Sequence, residues 1–185
     1  MLKMAIITGF LSQTKDRFHE YNTPLTLDEK FKLMSRIDGY DGVEIVFPYE
    51  AKEAELTRAA LDKYGLNVAA VNVNVKAEPE FRNGGLTSTD PAIRKKAVQF
   101  IRDAKDFAAA VGADKVTCCP LGDGYEFAFQ YDYAAAWKNL VDTLGEAGRY
   151  NEAIPLFVEY KPSETRGRCF VDTAAKALCL LHDIE

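Results

Sequence analysis

The sequence predicts an α/β fold of the (β/α)8 TIM-barrel type, of which this chain carries about five βα units. Strand-like apolar runs alternate five times with amphipathic helical patterns, which is typical of a parallel sheet covered by helices. Polar residues gather at several strand ends, where barrel sites are assembled. The G-x-G-x-x-G fingerprint of dinucleotide-binding sheets does not follow the first strand. We therefore expect one domain over residues 1–185, the N-terminal part of such a barrel.

Composition limits the classes of function. The chain has 185 residues and a net charge of -5, and 48% of its residues are hydrophobic, as in an ordinary single-domain globular protein. The acidic balance argues against general affinity for nucleic acid, and no apolar run approaches the roughly 20 residues of a membrane span. The four cysteines form no C-x-x-C pattern. We therefore expect reduced thiols in a cytoplasmic protein that binds neither nucleic acid nor membrane.

The first half of the chain reads as three strands and two helices. Continuous or β-branched apolar residues predict the strands, which cover residues 4–11, 43–48 and 67–75. Thr26-x-x-Glu29 is a capping box, and the apolar residues after it keep helical spacing as far as Ile37. A second helix extends from about residue 51 to 64 and ends before Gly65. We expect a loop over residues 76–89 because it is polar and contains Asn83-Gly84-Gly85.

The second half repeats the same alternation. A helix begins at Asp90-Pro91, with proline in its first position, and ends before Gly112. An aromatic loop over residues 122–131 separates the fourth strand from the fourth helix. The remaining elements are strands over residues 115–119 and 154–158 and helices over residues 133–150 and 173–184.

Glu159 and Lys161 follow the fifth strand and are the main candidates for a site. Side chains alternate along a strand, so these two charges share one face. Placing opposite charges at the end of a buried strand costs desolvation free energy unless the charges pair with each other or bind a ligand. One interpretation is a structural ion pair. The other is a polar site in which the Glu159 carboxylate binds a metal and Lys161 binds a substrate oxygen.

Five further residues are candidates for substrate binding. They share a place at a strand end or in a loop beside one: His19, Glu44, Asn72, Asn74 and Arg166. Each also has a structural interpretation. Glu44 could be buried against a lysine, the asparagines could satisfy loop backbone, and His19 and Arg166 could be solvated.

With these residues placed, the chain resembles the xylose isomerase-like barrel superfamily of sugar isomerases, epimerases and related metal-dependent enzymes. Glu159-Tyr-Lys161-Pro162 is similar to the E-x-K-P stretch on the fifth strand of aldose-ketose isomerases. Gly42-Val43-Glu44 and the Asp123-Gly-Tyr-x-Phe loop extend the resemblance. It implies a sugar substrate, a metal-ligand role for Glu159 and a contact between Lys161 and the carbonyl end of the sugar. The divalent metal would be Mn²⁺, Mg²⁺ or Co²⁺, which suit carboxylate sites.

The chain departs from this superfamily in length. A complete barrel has roughly 250 residues, and the remaining ligands of the superfamily lie on strands six to eight. We expect a piece of a longer sugar isomerase, with an open barrel edge that favours a homo-oligomer. The alternatives are an epimerase, a metal-dependent lyase acting on an oxidised glycoside, and a non-catalytic sugar-binding or assembly module. Lys161 favours the isomerase, since it fits a hydride shift better than the proton transfer of an epimerase.

Overall fold

A five-stranded parallel sheet organises the chain, in a computed structural model that describes residues 3–15, 18–164 and 166–185. The sheet follows chain order, with each strand hydrogen-bonded to the next. Its strands are β1 (Ala5–Ile7), β2 (Gly42–Phe47), β3 (Val68–Val73), β4 (Val116–Cys118) and β5 (Leu156–Val158). Among the described residues, β1 and β5 are therefore edge strands. Parallel strands paired in chain order, each followed by a helix, are the arrangement of part of a TIM barrel and confirm the predicted fold class.

Five helices cover the outer face of the sheet. They are α1 (Leu27–Met34), α2 (Ala54–Tyr64), α3 (Pro91–Val111), α4 (Tyr133–Arg149) and α5 (Ala174–Ile184). The predicted capping box is present at the start of α1, where Glu29 N–H donates to the Thr26 hydroxyl and the Glu29 carboxylate accepts from Thr26 N–H. The predicted glycines end α2 and α3, because Gly65 and Gly112 both adopt left-handed backbone conformations. None of the described helices is long and apolar enough to cross a membrane.

The two faces of the sheet differ in burial. Side chains that face the helices form the core, and they include Val43, Ile45, Val71, Val73 and Val116. On the inner face, several side chains are only partly buried because the sheet does not close around them: Glu44, Val46, Asn72 and Thr117. Strand register aligns one row of this inner face across four strands: Val46, Asn72, Thr117 and Phe157.

Three predicted elements need correction. The first strand ends at Ile7, and residues Thr8–Phe10 form a 3-10 helix instead of continuing it. Helix α1 ends at Met34, short of the expected Ile37. The segment predicted as a loop contains a 3-10 helix over Pro79–Asn83.

The fifth strand also differs from prediction, because it is not buried. Phe157 is 52% exposed, and Leu156 and Val158 are only partly buried. The continuous apolar run predicted a strand that is buried on both faces. At the edge of an open sheet, however, the strand has a neighbouring strand on one side only, so its side chains are less buried than predicted. The site at the end of this strand is correspondingly open.

Two small antiparallel ribbons complete the chain. Thr14–Lys15 pairs with Glu20–Tyr21 in the loop after β1. Gly124–Tyr125 pairs with Arg168–Cys169 and so joins the loop after β4 to the loop after β5. This second ribbon lies at the C-terminal end of the sheet and fixes the two loops that follow the strands nearest Glu159.

Candidate functional site

A cavity of about 350 Å³ lies at the C-terminal end of the parallel strands. The polar residues lining it come from the ends of β2, β3 and β4 and from the loops after them and after β5. They are Glu50, Asn72, Asn74, Lys76, Cys119 and Glu164. Barrel enzymes bind their substrates at this end of the strands, so this cavity is the candidate site.

The floor of the site is a hydrogen-bonded cluster on the inner face of the sheet. The Thr117 hydroxyl donates to Glu44 Oε1. Asn72 Nδ2 donates to Thr117 Oγ1 over 2.9 Å and approaches the same Glu44 oxygen at 3.4 Å. Two of the predicted residues, Glu44 and Asn72, are thus brought together and are linked through Thr117, which sequence reasoning did not identify. The cluster holds the asparagine at the base of the cavity.

Asn74 follows β3 directly, two residues after Asn72, and lines the same cavity. Its Oδ1 accepts from the backbone N–H groups of Lys76 and Ala77, each over 3.0 Å. The residue therefore orders the loop after β3 with its oxygen, as the structural interpretation expected. Its Nδ2 group has no partner among the described residues and can donate into the cavity.

Glu159 and Lys161 follow β5, and the structure separates their interactions. The backbone N–H of Glu159 donates to Cys118 O over 2.9 Å, which extends the pairing of β5 with β4 to this residue. The Glu159 side chain is exposed. The Lys161 ammonium forms an ion pair with Glu164, and this contact raises the pKa of Lys161. The pairing partner of the lysine is thus the carboxylate of the following loop and not Glu159.

Cys119 shows how close these charges are to the cavity. Burial, followed by the negative charge of Glu159, raises the pKa of the Cys119 thiol to about 12, and the charges of Lys161 and Lys76 oppose the rise. The thiol therefore stays protonated near neutral pH and is a weak nucleophile. It packs at the wall of the cavity between the strand-five charges and the loop after β3.

Glu50 is the most deeply held carboxylate of the cavity. Its Oε1 pairs with the Lys30 ammonium over 2.6 Å, and the Lys30 side chain is 5% exposed. Its Oε2 accepts from the Thr8 hydroxyl. Thr8, in turn, accepts from the N–H of Val46 over 3.3 Å. Sequence reasoning passed over Glu50, although a carboxylate three residues beyond the end of a barrel strand was a usable signal.

His19 and Arg166, like Glu44, Glu159 and Lys161, do not line this cavity. His19 belongs to the loop of the first ribbon and packs its ring against Tyr21, with 5.9 Å between ring centroids. Arg166 is tied to the second ribbon: Nε donates to Gly122 O over 3.4 Å, and one terminal nitrogen lies 4.0 Å from Glu126. Neither is brought together with Asn72 and Asn74, and their roles stay predictions.

The donor set supplies only part of a metal centre. An exposed carboxylate such as Glu159 is a suitable oxygen ligand for a hard divalent cation. Across residues 3–15, 18–164 and 166–185, however, no three or more His, Cys, Asp or Glu side chains are grouped so that they could hold an ion. The described residues therefore do not build a metal centre by themselves, and Glu159 is the one ligand they offer at the end of β5.

Comparisons with known sequences identify relatives among sugar isomerases. The chain matches the xylose isomerase-like TIM barrel family over residues 31–185. It is 30% identical to a xylose isomerase from Thermus caldophilus over 132 residues, which is 69% of this chain and 34% of the relative. A xylose isomerase from Thermus thermophilus is 28% identical over the same share of both chains. The chain thus spans about a third of the length of these curated relatives.

Solved structures similar to this fold include several sugar epimerases. A D-allulose 3-epimerase from Methylomonas sp. aligns with a TM-score of 0.73 at 20% identity and covers 99% of this chain and 59% of its own. An L-ribulose 3-epimerase aligns with a TM-score of 0.70 at 18% identity, covering 100% and 57%. A 3-keto-D-glucoside 4-epimerase from E. coli aligns with a TM-score of 0.67 at 17% identity, covering 98% and 65%. From its matched residues and its parallel sheet, the chain belongs to the xylose isomerase-like TIM barrel family.

Proposed function

We propose that this chain forms the N-terminal five βα units of a metal-dependent sugar isomerase of the aldose-ketose type. The observation that carries the proposal is the placement of Glu159 and Lys161 directly after β5, beside a polar cavity at the C-terminal end of the sheet. Xylose isomerases among the sequence relatives support the substrate class. The remaining βα units and the other metal ligands would come from outside the described residues.

The residues of this chain would bind and orient an open-chain sugar. Asn72 and Asn74 present amide groups to its hydroxyls. Lys161 would exchange its contact with Glu164 for a substrate oxygen, where its positive charge favours negative charge developing at the carbonyl end. A bound divalent cation polarises a carbonyl oxygen, and Glu159 would be one of its ligands. Expulsion of water from the cavity would strengthen each of these contacts.

Epimerisation is the second candidate, and the similar solved structures favour it. Both D-allulose 3-epimerase and L-ribulose 3-epimerase share the fold of nearly the whole chain. Lys161 favours isomerisation, because an ammonium beside the carbonyl end suits a hydride shift between neighbouring carbons. Incubating the full-length protein and Mn²⁺ with D-xylose and with D-allulose would separate the two. Conversion of D-xylose to its ketose would support the isomerase. Epimerisation of D-allulose without conversion of D-xylose would indicate an epimerase instead.

The metal-ligand role of Glu159 has a direct test in the full-length protein. Glu159→Gln keeps the size of the side chain and removes its charge, so the affinity for Mn²⁺ should fall. We expect at least about a tenfold loss, since even removal of a ligand's hydrogen-bond partner weakens metal sites by that factor. Isothermal titration calorimetry measures the affinity. Glu152→Gln, at an exposed position four residues before β5, is the matched control. Equal affinity in Glu159→Gln and wild type would remove Glu159 from the metal site.

A further inference from the structure

The cavity contains a carboxylate that neither the metal nor the strand-five lysine accounts for. We propose that Glu50 is a substrate-binding residue that accepts a hydrogen bond from a hydroxyl group of a sugar, and that Lys30 is the positioning residue that holds it there. The assignment rests on the proposed function in one respect, that the ligand of this cavity is a sugar. Glu50 belongs to the loop after β2, whereas Glu159 follows β5, so the two assignments concern different residues on different elements.

The geometry leaves Glu50 able to accept a further hydrogen bond. A carboxylate offers about four lone-pair positions. Two described contacts use them, one from the Lys30 ammonium to Oε1 and one from the Thr8 hydroxyl to Oε2. The side chain keeps 18% of its surface exposed and lines the cavity together with Asn72 and Asn74. An acceptor carboxylate and the Asn74 amide donor therefore face one space.

The energetics of the Lys30–Glu50 ion pair favour a role in binding over a purely structural role. Burying Lys30 and Glu50 costs desolvation that their attraction does not fully return, and an apolar pair of similar size would hold α1 to the loop after β2 at least as well. A fixed carboxylate at a cavity wall is, however, what the recognition of a hydroxyl requires. The ion pair with Lys30 fixes the rotamer of Glu50, and the Thr8 hydroxyl orients the second oxygen.

The carboxylates of the lining are each matched by a cation. Lys30 pairs with Glu50, Lys161 pairs with Glu164, and Lys76 adds an ammonium to the lining. A sugar hydroxyl suits Glu50 because it donates a hydrogen bond and brings no charge of its own.

Amide NMR titration of the full-length protein tests the assignment with D-allulose and D-xylose as probes. The reporters are the backbone amides of Gly9 and Asn74, both of which line the cavity. We expect at least one of the sugars to shift these amides in the wild type. Glu50→Gln should weaken the binding of that sugar by about tenfold to a hundredfold, the effect of losing a hydrogen bond to a charged group.

Two variants keep the result interpretable. Glu55→Gln, at an exposed position of α2 outside the cavity, should bind as the wild type does. Because Glu50→Gln leaves a buried ammonium unpaired, the double variant Lys30→Met/Glu50→Gln removes both charges and should bind as weakly as the single variant.

The outcomes separate this assignment from the proposed function. Unchanged affinity in Glu50→Gln, or no sugar-dependent shift in the wild type, would overturn it. The Mn²⁺ titration of Glu159→Gln does not depend on sugar binding, so its result is independent of the Glu50 test. Sugar binding that depends on Glu50 without a metal effect at Glu159 would therefore leave the Glu50 assignment standing and remove the metal role.

Discussion

The buried carboxyl of Asp123 should make the stability of the protein depend on pH. Asp123 is 0% exposed and lies in the loop after β4. Its Oδ1 accepts from the N–H and the hydroxyl of Thr87, each over 2.7 Å. Its Oδ2 has no hydrogen-bond partner among the described residues. Burial raises the pKa of Asp123 to about 6, against 3.8 for the exposed group, although hydrogen bonds from Thr87 limit the rise.

The sign and size of the effect follow from these two pKa values. Between about pH 4 and pH 6 the folded protein keeps this proton and the unfolded chain releases it. The free energy of unfolding therefore falls as pH rises, by about 1.4 kcal/mol per pH unit from this group. The total contribution is about 3 kcal/mol, which is lost by neutral pH.

Asp123→Asn isolates this contribution, because asparagine keeps the acceptor oxygen for Thr87 and cannot ionise. Its new Nδ2 group would be buried in place of Oδ2, which costs about 1–3 kcal/mol at every pH. Relative to wild type, the variant should gain about 3 kcal/mol between about pH 4 and pH 7. Urea unfolding followed by circular dichroism measures both proteins, with the exposed Asp38→Asn as control. A difference between Asp123→Asn and wild type that does not change with pH would refute the reasoning.

Two further predictions concern the strand-five lysine and the edges of the sheet. Lys161→Met should lower kcat of the full-length enzyme by about a hundredfold and leave Mn²⁺ affinity nearly unchanged, as steady-state kinetics and calorimetry would show. Lys176→Met, which removes a comparable ion-paired lysine at the start of α5, is the control, and unchanged kcat in Lys161→Met would reduce Lys161 to the ion-pair partner of Glu164. The chain of 185 residues should self-associate through the edges of β1 and β5; a single monomeric species at all concentrations in sedimentation velocity would contradict this.

The element order could be predicted because its signals are local. The capping box at Thr26 and the glycines after α2 and α3 act within a few residues of the helix ends that they define. Apolar runs of strand character identified the parallel strands, and polar residues at their ends indicated one polar edge. The same locality explains the errors. The pattern of residues 4–11 cannot show that hydrogen bonding to β2 stops at Ile7, and the apolar residues of β5 do not show that the strand lies at an edge.

The structure decided which charged and polar groups pair. Strand alternation placed Glu159 and Lys161 on one face, but the lysine pairs with Glu164, three residues further along the loop after β5. Glu44 and Thr117 are 73 positions apart and meet only through the register of β2, β3 and β4. The sequence by itself determined the order of the strands and helices, since that depends on local patterns. Which side chains then meet depends on register and loop path, because these bring together groups from distant parts of the chain.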